Sequence, residues 1–186
     1  MLTINFHPFQ NLETDRLLLR RVNINDVNEV LELRGNPETM KFIPRPLAKS
    51  KEDALEHIAM IEEKIVNNIG INWAITLKHN PKLIGIIGHY KIQPENYRAE
   101  IGYMVLPEYH GKGFVTEAIK VVVKYGFEHM QLHSIEAIID PKNKASETVL
   151  KKNDFLKEAH ILENIFYNGK FLDTVIYSIL KRNFKK

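Results

Sequence analysis

Residues 99–129 read AEIGYMVLPEYHGKGFVTEAIKVVVKYGFEH, and the rest of the chain is arranged around them. Ala99 to Leu106 alternate loosely and stop at Pro107, which has no N–H for a ladder bond, so the run predicts a strand with a hard end. Beyond Gly111 and Gly113, Ile119, Val122, Val123, Phe127 and Met130 recur at helical spacing. Strand, glycine turn and helix form the local design of an anion cradle. The N–H groups of a first helical turn lack partners within the helix, and the helix dipole favours negative charge there. Gly111 and Gly113 let main chain approach a diphosphate closely, and Lys112 adds charge. From spacing alone, an ordinary strand-to-helix loop fits equally well. A Walker A loop fails for want of a glycine at the right distance upstream, and a dinucleotide fingerprint fails because Thr116 stands where a third glycine is needed.

PEYHGKGFVTEA, preceded by AEIGYMVL, resembles the acetyl-CoA loop of the GNAT superfamily of N-acetyltransferases, and in particular the Rim-type enzymes that acetylate N-termini of ribosomal proteins. The family's Gln/Arg-x-x-Gly-x-Gly/Ala pattern falls on His110, Gly113 and Val115, with His replacing Gln or Arg and Val replacing a small residue. Residues 12–27, LETDRLLLRRVNINDV, resemble the Rim-type opening. Residues 135–155, IEAIIDPKNKASETVLKKNDF, resemble the second cofactor segment, with Asn143, Ser146, Lys152 and Phe155 matching and Lys151 and Asp154 replacing Glu and Gly. Residues 166–180, FYNGKFLDTVIYSIL, resemble the closing hairpin.

The chain of 186 residues is expected to form one domain with one core. Without cysteine it has neither a disulfide framework nor a thiolate nucleophile, which fits a cytoplasmic location. The net charge of +3 becomes −1 once Lys181, Arg182, Lys185 and Lys186 at the basic C-terminal end are set aside, so no nucleic-acid footprint is evident. No apolar run has membrane-spanning length. The pattern predicts strands over Arg16–Val22, Asn72–Leu77, Leu83–Ile92, Ala99–Leu106, Ser134–Ile139, Leu156–Phe166 and Lys170–Leu180. Asn168-Gly169 gives a strong hairpin turn between the last two. Helices are expected after Asn25-Asp26, after Ser50 (stripe Ala54, Ile58, Ile61, Ile65), after Gly113, and over Asn143–Asn153, while Gly35 to Lys49, with three prolines, reads as a loop.

This order of elements is that of the GNAT fold: mixed α/β, about seven mostly antiparallel strands with a splayed central strand, and four helices. The resemblance implies acetyl-CoA as co-substrate, a primary amine as acceptor, no metal, and a monomer or homodimer. It places pantetheine against the backbone of Met104, Val105 and Leu106, the diphosphate on His110, Gly111, Lys112, Gly113, Phe114, Val115 and Thr116, and pantetheine amides on Asn143. Ser146 is implied as the proton source for the leaving thiolate, because Leu150 stands where other relatives carry a tyrosine. Glu100 is the candidate base, acting through water, unless it pairs with Arg98 or Lys91. Trp73, Tyr90 and Tyr103 are expected in the core. His89, His129 and His133 lack metal-ligand spacing, and Met40, Phe42 and Ile43 are expected to border the acceptor cleft.

An α-amine, with a pKa near 7.7–8.0, is roughly one-tenth free base at pH 7, whereas a lysine near 10.4 is free base about once in a few thousand. A site without a strong base therefore suits an α-amine, as in a protein N-terminus. Acetylation of small amines or antibiotics, and a catalytically weak acyl-CoA-binding regulatory module, are the alternatives.

Overall fold

The structure is a computed structural model and describes residues 1–184; Lys185 and Lys186, half of the basic C-terminal cluster, lie outside them. Eight strands form one sheet: β1 (Leu12–Glu13), β2 (Leu17–Arg21), β3 (Ile71–Leu77), β4 (Asn80–Gln93), β5 (Arg98–Val105), β6 (Ser134–Ile139), β7 (Leu156–Tyr167) and β8 (Lys170–Leu180), in the order β1-β2-β3-β4-β5-β6-β8-β7. Only β5 and β6 run parallel; every other neighbouring pair is antiparallel. The helices are α1 (Val27–Gly35), α2 (Pro37–Met40), α3 (Lys51–Val66), α4 (Phe114–Glu128) and α5 (Lys144–Lys152). This is the expected mixed α/β sheet. The additions are β1, a two-residue strand, and α2, a single turn capped by Asn36 within the proline-containing loop.

Two helical layers cover the sheet, which explains why six successive residues of β3 are buried. On one face α4 packs Tyr125 edge-on against Trp73, ring centroids 5.1 Å apart, and accepts a hydrogen bond at the Val122 carbonyl from buried His89 Nε2 at 3.0 Å. On the other face α3 lays its predicted stripe, Ala54, Ile58, Ile61 and Ile65, into the core beside α1. The predicted capping box of α3 is present, with the Asp53 N–H donating to Ser50 Oγ and the Ser50 N–H to Asp53 Oδ2. Asn168 and Gly169 both have positive φ, as a tight two-residue hairpin turn requires. Trp73 is fully buried, as expected.

The feature that makes a site is the seam between β5 and β6. They pair at Arg98↔Ser134, Ala99↔Ile135 and Glu100↔Glu136 and then diverge. Parallel strands need a crossover, and here it is the glycine turn and α4. Past Glu100 the free edge of β5 therefore faces an opening rather than a neighbour.

Candidate active site

The opening continues into a cleft of about 500 Å³, lined by both faces of the β5 end together with α1, α3, β6 and the start of α5. Leu106 N–H donates to Ile84 O at 2.9 Å, on the β4 side. Antiparallel pairing alternates, so Met104 also turns its N–H to β4, while Val105, Tyr103 and Ile101 turn theirs into the gap. Of the three residues implied as pantetheine partners, Val105 is thus the one whose main chain faces the opening. Its carbonyl receives the His110 ring, Nε2 lying 3.1 Å away, so His110 braces the strand end instead of pointing at the glycine turn.

Gly111 and Gly113 both adopt left-handed φ, +72° and +79°, and a Cβ built at Gly111 meets nothing within 4 Å. The turn is accordingly open to a ligand along its main chain. Gly113 caps α4 without a side-chain bond, which leaves the first-turn N–H groups of Phe114, Val115 and Thr116 as available donors. Val115, in the first turn of α4, is partly buried and packs against the core. A clamp absent from the sequence reading holds the turn in place. Glu117 accepts from the Thr14 hydroxyl, from Arg16 N–H at 3.0 Å and from Arg16 Nε at 2.7 Å. Arg16 also donates to Lys112 O at 3.1 Å and lies over the Phe114 ring, 4.6 Å from its centroid. Burial raises the Glu117 pKa, but these hydrogen bonds outweigh it and hold the carboxyl below its ordinary value. The signal was Thr14-Asp15-Arg16 opening the first strand, a pattern that does not say what it touches.

Asn143 caps α5, its Oδ1 accepting the Ser146 N–H at 3.0 Å, which leaves its amide donors for the cleft. Ser146 is buried, and its Oγ sits 2.6 Å from the Tyr103 hydroxyl. Tyr103 was expected in the core; it stands in the cleft because β6 no longer covers β5 at that level. Burial pushes its phenol up to about 12, against the pull of the Ser146 hydrogen bond, so it stays protonated at neutral pH. Tyr90 also lines the cleft. Leu150 is fully buried and takes no part.

Glu100 reaches the cleft on the face opposite Tyr103, ion-paired with Lys91 at 2.6 Å. Arg98, its other possible partner, pairs with Glu136 at 2.8 Å instead. Phe42 and Ile43 line the cleft as expected, whereas Met40 is buried and does not line it. No motif pointed to the remaining polar residues of that wall, Arg34, Arg45, His57 and Lys64.

A glycine turn at a helix N-terminus, a strand edge without a neighbour and a pair of hydroxyls are thus grouped around one side of the sheet. The acetyltransferase (GNAT) domain model matches residues 16–156, and the chain belongs to that family. It is 35% identical over 173 residues to the uncharacterized N-acetyltransferase YoaA of Bacillus subtilis, covering 93% of this chain and 98% of the relative. It is 28% identical over 166 residues to the spermidine N(1)-acetyltransferase of Escherichia coli K12, covering 89% and 87%. Among solved structures, a GNAT-family acetyltransferase from Bacillus anthracis superposes with a TM-score of 0.82 at 29% identity, over 93% of this chain and 99% of that one. A ribosomal-protein-S5-alanine acetyltransferase from Vibrio fischeri shares the fold at a TM-score of 0.79 and 21% identity, over 95% and 100%. The protein is an acetyl-CoA-dependent N-acetyltransferase.

Proposed function

We propose that the acceptor is a primary α-amine, as at a protein N-terminus, and that it meets the thioester beside Tyr103 and Met104. The observation that carries this reading is the divergence of β5 from β6, with the Tyr103–Ser146 pair on one face of the opening and the Glu100 side of the cleft on the other. When bound, acetyl-CoA supplies the activated acyl group. The residues that fit it are the main chain from Gly111 to Thr116 for the diphosphate, the Val105 edge and Asn143 for the pantetheine amides, and Arg16 as buttress. The Val105 N–H faces the gap, where it can polarise a thioester carbonyl.

The amine forms the new C–N bond as the C–S bond breaks, and one amine proton must reach the sulfur in the end. Ser146 and Tyr103 supply hydrogen bonds on the thiolate side. On the amine side the cleft offers only weak bases. Glu100 is tied to Lys91. His57 is held at about 4 by burial and by Arg34, Arg45 and Lys64. Removing a proton near pH 7 costs about 1 kcal/mol for an α-amine and about 4–5 kcal/mol for a lysine, so this cleft favours the α-amine, with Glu100 at most accepting the proton through a water. The Escherichia coli relative acts on spermidine, and a small-amine substrate is the second reading.

Single-turnover transfer of labelled acetyl to paired peptides tests the assignment. One peptide has a free N-terminus and a blocked lysine; the other has the reverse. Faster labelling of the first is expected. Faster labelling of the lysine peptide sinks the α-amine reading, and tight acetyl-CoA binding without transfer to any amine would favour a regulatory module.

A further inference from the structure

Resting on the reading of this cleft as the acceptor site, we propose that the acceptor carries a carboxylate or phosphate close to its amine, held by Arg34, Arg45 and Lys64. Arg34 lies in the last turn of α1, Lys64 in the last turn of α3, and Arg45 in the loop that follows α2. All three line the same cleft as Glu100, Tyr103, Met104 and Ser146.

Of the lysines and arginines that line the cleft, Lys91 has a carboxylate partner and these three do not. Arg16, Arg20, Arg21 and Arg98 each have a carboxylate within 4.0 Å. Among the described residues, Arg34, Arg45 and Lys64 have none. The three carboxylates of the cleft are already engaged. Glu100 is paired with Lys91, Asp140 accepts the Lys142 N–H at 2.7 Å, and Asp173 holds His160 and the Glu163 N–H, both at 2.9 Å. The wall formed by α1, α3 and the loop after α2 therefore presents three cations without a carboxylate partner, Lys64 lying over the Tyr90 ring at 5.9 Å. The neighbouring titrations agree: burial and then Arg45 lower the Arg34 pKa, and burial and then Arg34, Arg45 and Lys64 lower that of His57.

Like charges gathered in a half-buried cleft repel one another more strongly than in water. Such an arrangement is relieved by an anion, and a guanidinium fork fits a carboxylate or phosphate with two parallel bonds. A polyamine would add positive charge to a wall that already has too much. Acidic side chains just after a free N-terminus and a free amino acid present the same chemistry.

The test compares kcat/KM at saturating acetyl-CoA for lysine-free peptides beginning Ser-Asp-Glu, Ser-Ala-Ala and Ser-Arg-Arg, for free aspartate, and for spermidine. The acidic peptide should exceed the neutral one by about tenfold or more, the effect of one charge-assisted contact. In Arg45→Glu, a change on an exposed loop, that acidic-to-neutral ratio should collapse or invert. Equal turnover of all three peptides overturns the anion site while leaving the α-amine reading intact, and faster turnover of spermidine than of the acidic peptide overturns both. Preference for aspartate over every peptide upholds the anion site and removes the protein substrate. If no acceptor turns over, calorimetry with N-acetylated acidic and basic peptides decides. Tighter binding of the acidic one, weakened about tenfold by Arg45→Glu, upholds the site; equal binding overturns it.

Discussion

The Tyr103 hydroxyl lies 2.6 Å from Ser146 Oγ because the strand that carries it has lost its neighbour beyond Glu100. What it can do follows from its acidity. A phenol at about 12 facing a thiolate near 8.5 would spend about 5 kcal/mol to complete a proton transfer. On the proposed reading the pair would serve the sulfur as hydrogen-bond donors, with the proton itself arriving from the amine side or from solvent. Tyr103→Phe and Ser146→Ala should each lower kcat by about ten- to a hundredfold with the KM for acetyl-CoA little changed, and the double variant should be little worse than either single one. Steady-state kinetics of the three variants check this; an unchanged kcat in Tyr103→Phe would leave the sulfur to water. Tyr103 was not legible as a site residue, and the reason is specific. Alternation puts it on the same face as Ile101 and Val105, both buried, and an aromatic there reads as core unless the next strand is known to veer away. Arg34 and Arg45 were hidden differently: one ends a helix and the other sits among prolines, and only the folded chain brings them together.

At the level of elements, the long ones were legible because each repeats its signal several times. The stripe of α3 and the apolar run of α4 both survive a misplaced residue. The short elements β1 and α2 span about one period each, so no signal repeats in them and neither could announce itself. The end of α5 shows a departure from the family pattern being absorbed locally. Phe155 N–H bonds Leu150 O at 3.1 Å and Asp154 N–H bonds Lys151 O at 3.2 Å, a Schellman end with Asp154 at φ +62° and with Phe155 and Leu150 both buried. Asp154 replaces Gly at a position with left-handed backbone, where it terminates the helix. Asp154→Gly should stabilise the fold by about 0.5–1 kcal/mol, read as a higher midpoint in urea. The opposite exchange at the α4 start has two consequences. Gly113→Ala places an L side chain at φ +79°, which costs about 1–2 kcal/mol of stability and disturbs the turn proposed to hold the diphosphate. Acetyl-CoA affinity should fall in Gly113→Ala, and also in Gly111→Ala, where nothing nearby clashes and only the backbone is strained. Folded variants with unchanged affinity by calorimetry would place the diphosphate elsewhere.

Across the whole molecule, the sheet must hide one histidine and half-bury another to make both its core and its cleft. His89, fully buried beneath α4, has its pKa lowered to about 4 by desolvation, against the Val122 hydrogen bond that favours its charged form. His57, on the cleft wall of α3, is lowered to about 4 by desolvation and then by Arg34, Arg45 and Lys64. In the unfolded chain both imidazoles titrate near 6.5, so between pH 6.5 and 4 the unfolded state binds protons that the folded state refuses. Their contribution is therefore complete above about pH 6.5 and is lost as pH falls toward 4. The loss from pH 7 to 5 amounts to about 2 kcal/mol for each histidine, before the carboxylates begin to titrate appreciably. Urea unfolding of the protein at pH 7, 6 and 5 should show that decline. His57→Gln, which leaves the core untouched, should remove roughly half of it. An acidic ligand seated among Arg34, Arg45 and Lys64 would offset the lowering at His57 while leaving His89 alone, so the decline should flatten partially when N-acetylated Ser-Asp-Glu peptide is present. A stability that stays level from pH 7 to 5 would show that both imidazoles find their protons in the folded state, and that the cleft is less positive than its side chains imply.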